Sequence, residues 1–176
     1  NWTLMKDSFW PIVKAAVKFT IPLAVLSFAI GLVLALFVAL GRMSSQPWFS
    51  APARLFISVI RGTPLLVQLF IIFSGLPEVG IKFNSFIAAA IALSLNVAGY
   101  AAEIVRSALE SIPKGQWEAG STVGMDYATT LRRIIIPQAA RTAIPPLGNT
   151  FISTVKDTSL CAPVSYTHLR AHETRH

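Results

Sequence analysis

Four windows of this chain, residues 19 to 41, 62 to 77, 83 to 102 and 142 to 155, contain no Asp, Glu, Lys or Arg. A helix needs about 20 apolar residues to cross about 30 Å of hydrocarbon, where every backbone polar group must be satisfied internally. The first and third windows suffice alone. The second reaches that length if its helix includes the apolar run before Arg61, and the fourth if Arg141 faces protein or snorkels to the interface. The spacing therefore predicts spans at about 19–41, 55–77, 83–102 and 134–160. With 13% charged residues among 176, against about 25% in soluble domains, the expected fold class is an all-α membrane protein, a multi-span helical bundle.

The net charge of +7 could suggest nucleic acid, but the cations lie in short stretches beside spans and form no single basic face. They orient the chain instead. Between the second and third spans the only cation is Lys82, whereas residues 103–141 hold Arg106, Lys114, Arg132, Arg133 and Arg141. By the positive-inside rule, that stretch is cytoplasmic and the N-terminus lies outside. Ala88 and Ala92, like Ala98 and Ala102, are small residues one turn apart that let helices approach closely, although alanine is common in any membrane helix. The single cysteine, Cys161, allows no disulfide framework and no paired metal ligands.

Residues 118–138, EAGSTVGMDYATTLRRIIIPQ, interrupt this apolar pattern. A helix is expected from Ser111 with Pro113 in its first turn, a stop at Gly124, an N-cap at Asp126, and a second helix that Pro137 kinks or ends. Trp117, Ala119 and Val123 form an amphipathic patch suited to a partner's groove; a surface helix of no particular role is the plainer reading. Glu118, Ala119 and Gly120, then Gly124, then Ile134 to Pro137, resemble the EAA motif of ATP-binding-cassette importer permeases. Gly120 replaces that motif's second alanine and Ile136 its leucine. The flanking RGTPLLVQLF (61–70), SIPKGQWEA (111–119) and KDTSL (156–160) are similar to the polar amino-acid subfamily, and within it to permeases for cystine.

That resemblance implies a bundle of the importer permease (MetI-like) type over residues 1–161, with the coupling region at 103–137. It implies a paired second permease, a cytoplasmic ATPase dimer docked on Trp117, Glu118, Ala119, Gly120, Gly124 and Pro137, and an external solute-binding protein in a prokaryotic inner membrane. No G-x-x-x-x-G-K-[ST] phosphate loop occurs here, so ATP and Mg are expected on the partner, with no cofactor bound by this non-catalytic subunit. Intramembrane polar groups are functional candidates because burying them in hydrocarbon is costly. Thr150, Thr154 and Asp157 share one helical face, and with Asn96 they are the expected substrate pathway; helix-tying or interfacial roles are the alternative. Arg61 and Thr63 read as interface and helix-cap residues, with Pro64 just inside a new helix.

Residues 164–174, VSYTHLRAHET, resemble a translated sequencing adapter, so 162–176 is expected to be non-native and a fifth span to be missing. The spacing of His168, His172 and His176 is set aside as a metal site, since so short a pattern arises by chance. A self-powered secondary transporter or channel is the competing function; it would show internal repeats and broken helices. A membrane-embedded enzyme would need clustered catalytic or metal-binding side chains in the spans, and with the tail discounted no histidine remains.

Overall fold

The computed structural model describes residues 2–173. Helix α1 (Trp2–Met43) is followed by α2 (Pro47–Gly62), α3 (Leu65–Phe70), α4 (Leu76–Glu78), α5 (Ser85–Glu110), α6 (Lys114–Thr122), α7 (Tyr127–Thr130) and α8 (Ile136–Glu173). Five-residue π-helical turns, Ile71–Gly75 and Leu131–Ile135, join α3 to α4 and α7 to α8. The side chains of His168 and His172, with residues 174–176, lie outside the described residues, as do the expectations that rest on them.

The core is the α1–α5 contact, the most extensive between any two elements. In α1 the small residues Ser27, Gly31, Ala35 and Ala39 recur every four positions and are buried. From α5, Ala88, Ala92, Ala98 and Ala102 are buried too. A Cβ added at Gly31 would meet Val97 Cγ1 at 2.5 Å. Lipid tails are as apolar as these side chains, so dispersion contacts between closely approaching backbones hold the pair. The opposite face of α1 exposes Val33, Leu36, Phe37 and Leu40, which is where lipid belongs. The 42 residues of α1 extend about 63 Å at 1.5 Å each. The expected 19–41 span is thus its second half, and Lys6, Lys14 and Lys18 lie in the first half of the same helix.

The expected 55–77 span is two helices. Pro64 disfavours helical geometry in the residue before it, and Thr63 is extended at φ −111°, ψ 132°. The rods Pro47–Gly62 and Leu65–Glu78 meet at a bend of 107°. Thr63 therefore terminates α2, and Pro64 takes the N-cap position of α3 without a side-chain cap. Helices α1 and α5 are long and apolar enough to cross a membrane, and the bent pair together makes a third such unit. The 134–160 window is helical from Ile136, within α8, which falls short of that apolarity; its polar side chains need cover from protein or water.

Two details around 103–137 also differ from expectation. Helix α5 runs on to Glu110, with Ser111 as its C-cap and Pro113 as the N-cap of α6. Pro137 does not end its helix. A proline ring clashes with the carbonyl four residues back, here that of Arg133, which sits in the middle of the Leu131–Ile135 π turn. Widening that turn accommodates the ring, and α8 continues to Glu173. Pro77 follows Ile71–Gly75 in the same register.

Candidate functional site: a polar cavity at the broken helix

The break between α2 and α3 opens onto α5 and α8. There a cavity of about 630 Å³ is lined by Arg61, Gly62, Thr63, Pro64 and Leu65 from the break, Asn96 and Tyr100 from α5, and Asn149, Thr150, Ser153, Thr154 and Asp157 from α8. Asn96, Thr150, Thr154 and Asp157, chosen from the sequence as one group, thus share one space. Thr154 is nearly buried and its hydroxyl donates to Thr150 O at 2.8 Å; that of Thr150 donates to Pro146 O at 3.0 Å. These hydroxyls hold the helix backbone and offer only oxygen lone pairs to a solute. The Asp157 carboxylate has no ion-pair or hydrogen-bond partner among the described residues.

Sequence reasoning missed the residue that builds the break. A helix ending in mid-bundle leaves carbonyls without partners, and the buried Gln68 answers them. Its Nε2 donates to Ile60 O at 2.9 Å and to Thr63 O at 3.1 Å, while its Oε1 accepts from Asn96 Nδ2 at 3.3 Å. One amide therefore fixes both the bend and the Asn96 side chain. A glutamine within an otherwise apolar run was the available signal. Gln68→Leu leaves those carbonyls unsatisfied, a cost of about 1–3 kcal/mol; a lowered melting temperature of the purified complex is expected, and an unchanged one refutes this role.

A second cavity of about 350 Å³ continues along α5 and α8, lined by Arg61, Tyr100, Glu103, Ile104, Ser107, Ala108, Thr142 and Pro146. Arg61 and Tyr100 line both, with the guanidinium 5.9 Å from the ring centroid. Arg61, read from sequence as an interface residue, stands at this junction. Below it, Arg106 bridges Glu103, at 2.5 Å, and Glu110.

At that end of α5 the EAA segment folds into a clasp. Met125 N–H donates to Gly120 O and Gly124 N–H to Ser121 O, both at 3.0 Å, the paired bonds of a Schellman ending with Gly124 at φ +77°. Trp117 stacks on Tyr127, centroids 5.1 Å apart, and Gln138 Nε2 donates to Gln116 Oε1 at 3.0 Å. Asp126 occupies the N-cap position of α7 in extended geometry without a side-chain capping bond to the backbone, and the Thr129 hydroxyl beside it holds its carboxyl below the ordinary value. Glu118, Ala119 and Val123 face solvent, whereas Gly120 is buried. A Cβ at Gly120 would lie 2.5 Å from Thr130 Oγ1, so Gly120 contacts its own chain and is not part of the exposed face expected for it.

Apolar spans, a mid-bundle break and a polar cavity continued by a second one define a multi-pass membrane permease. Residues 27–162 match the family of binding-protein-dependent transport system inner membrane components, and the chain belongs to that family of importer permeases. It is 53% identical to the L-cystine transport system permease protein TcyB of Bacillus subtilis (strain 168), over 93% of this chain and 70% of that protein. It is 44% identical to the probable amino-acid ABC transporter permease protein YckA of the same strain, over 98% and 76%. Among solved structures, an amino acid ABC transporter with histidines superposes with a TM-score of 0.84 at 38% identity, covering 92% of this chain and 75% of that one. The MetNI methionine ABC transporter in an inward facing conformation, at 22% identity and a TM-score of 0.72 over 89% and 75%, shares the fold. Family membership displaces the secondary-transporter reading.

Proposed function

We propose that this chain forms the substrate pathway of an ATP-driven importer of polar amino acids, with L-cystine as the foremost cargo. The observation that carries the reading is the cavity at the helix break, where, among the described residues, Asp157 is the only carboxylate and Asn96, Asn149, Thr150 and Ser153 supply neutral polar groups. Its volume suits a small solute, within the usual range of roughly 300–1,000 Å³. Asp157 offers a partner to a substrate ammonium, and Asn96 to an amide or carboxylate. The cystine assignment draws its support from the 53% identity to the Bacillus subtilis L-cystine permease; relatives named for arginine and octopine transport are 41% and 43% identical.

In this reading the termini of α6 and α7 face the cytoplasm and the N-terminus lies outside a prokaryotic cell membrane. A dimeric ATPase, which carries the nucleotide and Mg, docks on the exposed Glu118 and Ala119 beside Trp117. A second permease subunit pairs in the membrane, and an extracytoplasmic binding protein delivers the solute. The test is uptake of labelled L-cystine into proteoliposomes holding the full-length permease with those partners. Asp157→Asn is expected to weaken apparent affinity about tenfold, the equivalent of about 1.4 kcal/mol of lost charge interaction. Unchanged affinity and rate would remove Asp157 from the site.

A further inference from the structure

A free amino acid carries an ammonium and a carboxylate, and Asp157 answers only the first. Among the described residues lining the larger cavity, Arg61 is the only cation. It makes no ion pair within 4 Å and no hydrogen bond among the described residues; the Tyr100 ring centroid lies 5.9 Å from the guanidinium carbon, and Glu103 of the second cavity feels its charge at longer range. An arginine without hydrogen-bonded partners among the described residues, lining the same polar cavity as an unpaired carboxylate, is equipped to receive a planar anion bidentately.

We propose that Arg61 binds the carboxylate of the transported amino acid, with Tyr100 as its positioning residue. The inference rests on the amino-acid reading above. A cation–π contact with a ring favours one placement of a guanidinium and leaves its N–H groups free for a carboxylate. Since Arg61 and Tyr100 line both cavities, the carboxylate would be held where the larger space meets the smaller. The α-ammonium and α-carboxylate of one end of the substrate would then be held between Asp157 and Arg61.

The test uses the full-length permease with its ATPase and without the binding protein, whose own selectivity would mask the effect. Binding of labelled L-cystine is competed by unlabelled L-cystine and by its diamide, which keeps both ammonium groups and lacks both carboxylates. Wild type is expected to prefer L-cystine at least tenfold. Arg61→Gln should reduce that preference to near unity, Tyr100→Leu should reduce it in part, and Tyr100→Phe, which keeps the ring, should leave it intact. An undiminished preference in Arg61→Gln overturns the proposal. Should that variant fail to assemble, protection of Arg61 in wild type from phenylglyoxal decides: protection by L-cystine but not by the diamide is expected, and absence of protection overturns it. A wild-type complex that neither binds nor imports any amino acid defeats the underlying reading instead, and this inference with it.

Discussion

Gly124→Val is expected to bring uptake close to background while the complex still inserts and assembles. Gly124 sits at φ +77°, a region that costs a β-branched residue about 1–3 kcal/mol. A Cβ there would meet nothing within 4 Å, so the perturbation acts first through the backbone. The Schellman turn sets the angle at which α6 leaves α7, and that angle fixes where Glu118 and Ala119 point. With the turn strained, α6 should lose its docked orientation, and ATP hydrolysis should no longer rise when loaded binding protein is added. Gly124→Asn, which tolerates the left-handed region better, should fall between. Wild-type uptake by Gly124→Val would show that this turn does not couple hydrolysis to transport.

Helix α8 gives that coupling a physical route. Gln138, bonded to Gln116 of α6, and Asp157 at the cavity lie on one helix, about 28 Å apart at 1.5 Å per residue. A displacement of α6 would reach α8 directly through Gln116–Gln138, and by way of α7 through Trp117–Tyr127 and Gly120–Thr130. The π turn before Pro137 is the irregular point in that route, a place where helical hydrogen bonding is already loosened.

The helical membrane class was legible because uncharged windows report directly on the solvent. The cavity face of α8 was legible for a related reason: Thr150, Thr154 and Asp157 follow helical spacing in an otherwise apolar setting, and that spacing survives folding. The break at Gly62–Pro64 was misread although its signal was present. RGTP was recognised as a helix start, yet hydropathy averages across the junction and joined two rods that meet at 107°. Once the span was drawn straight, Arg61 and Thr63 could not be seen as lining a cavity, and Gln68 had no carbonyls to satisfy. In the other direction, Pro137 was expected to kink or end its helix, and α8 runs through it. Proline removes the donor to the carbonyl four residues back, and at Pro137 the preceding π turn already loosens that bonding; sequence spacing does not reveal where such a turn forms.

Gly120 is where sequence resemblance and structure differ in meaning. The motif it resembles has alanine there, so restoring alanine looks conservative. The geometry predicts the reverse: the new Cβ would lie 2.5 Å from Thr130 Oγ1 and 2.6 Å from Thr130 Cγ2, with Thr130 buried at 2% exposure. Overpacking of this kind costs about 1–3 kcal/mol, and here it would push α6 off α7. Gly120→Ala should therefore lower both the melting temperature of the complex and its coupled ATP hydrolysis. Thr130→Ala, which withdraws the obstructing atoms, should restore both when combined with Gly120→Ala. In a double-mutant cycle the coupling energy between the two sites should exceed about 1 kcal/mol. Additive effects would mean that Gly120 and Thr130 do not meet, and that the glycine tolerates alanine as its resemblance suggests.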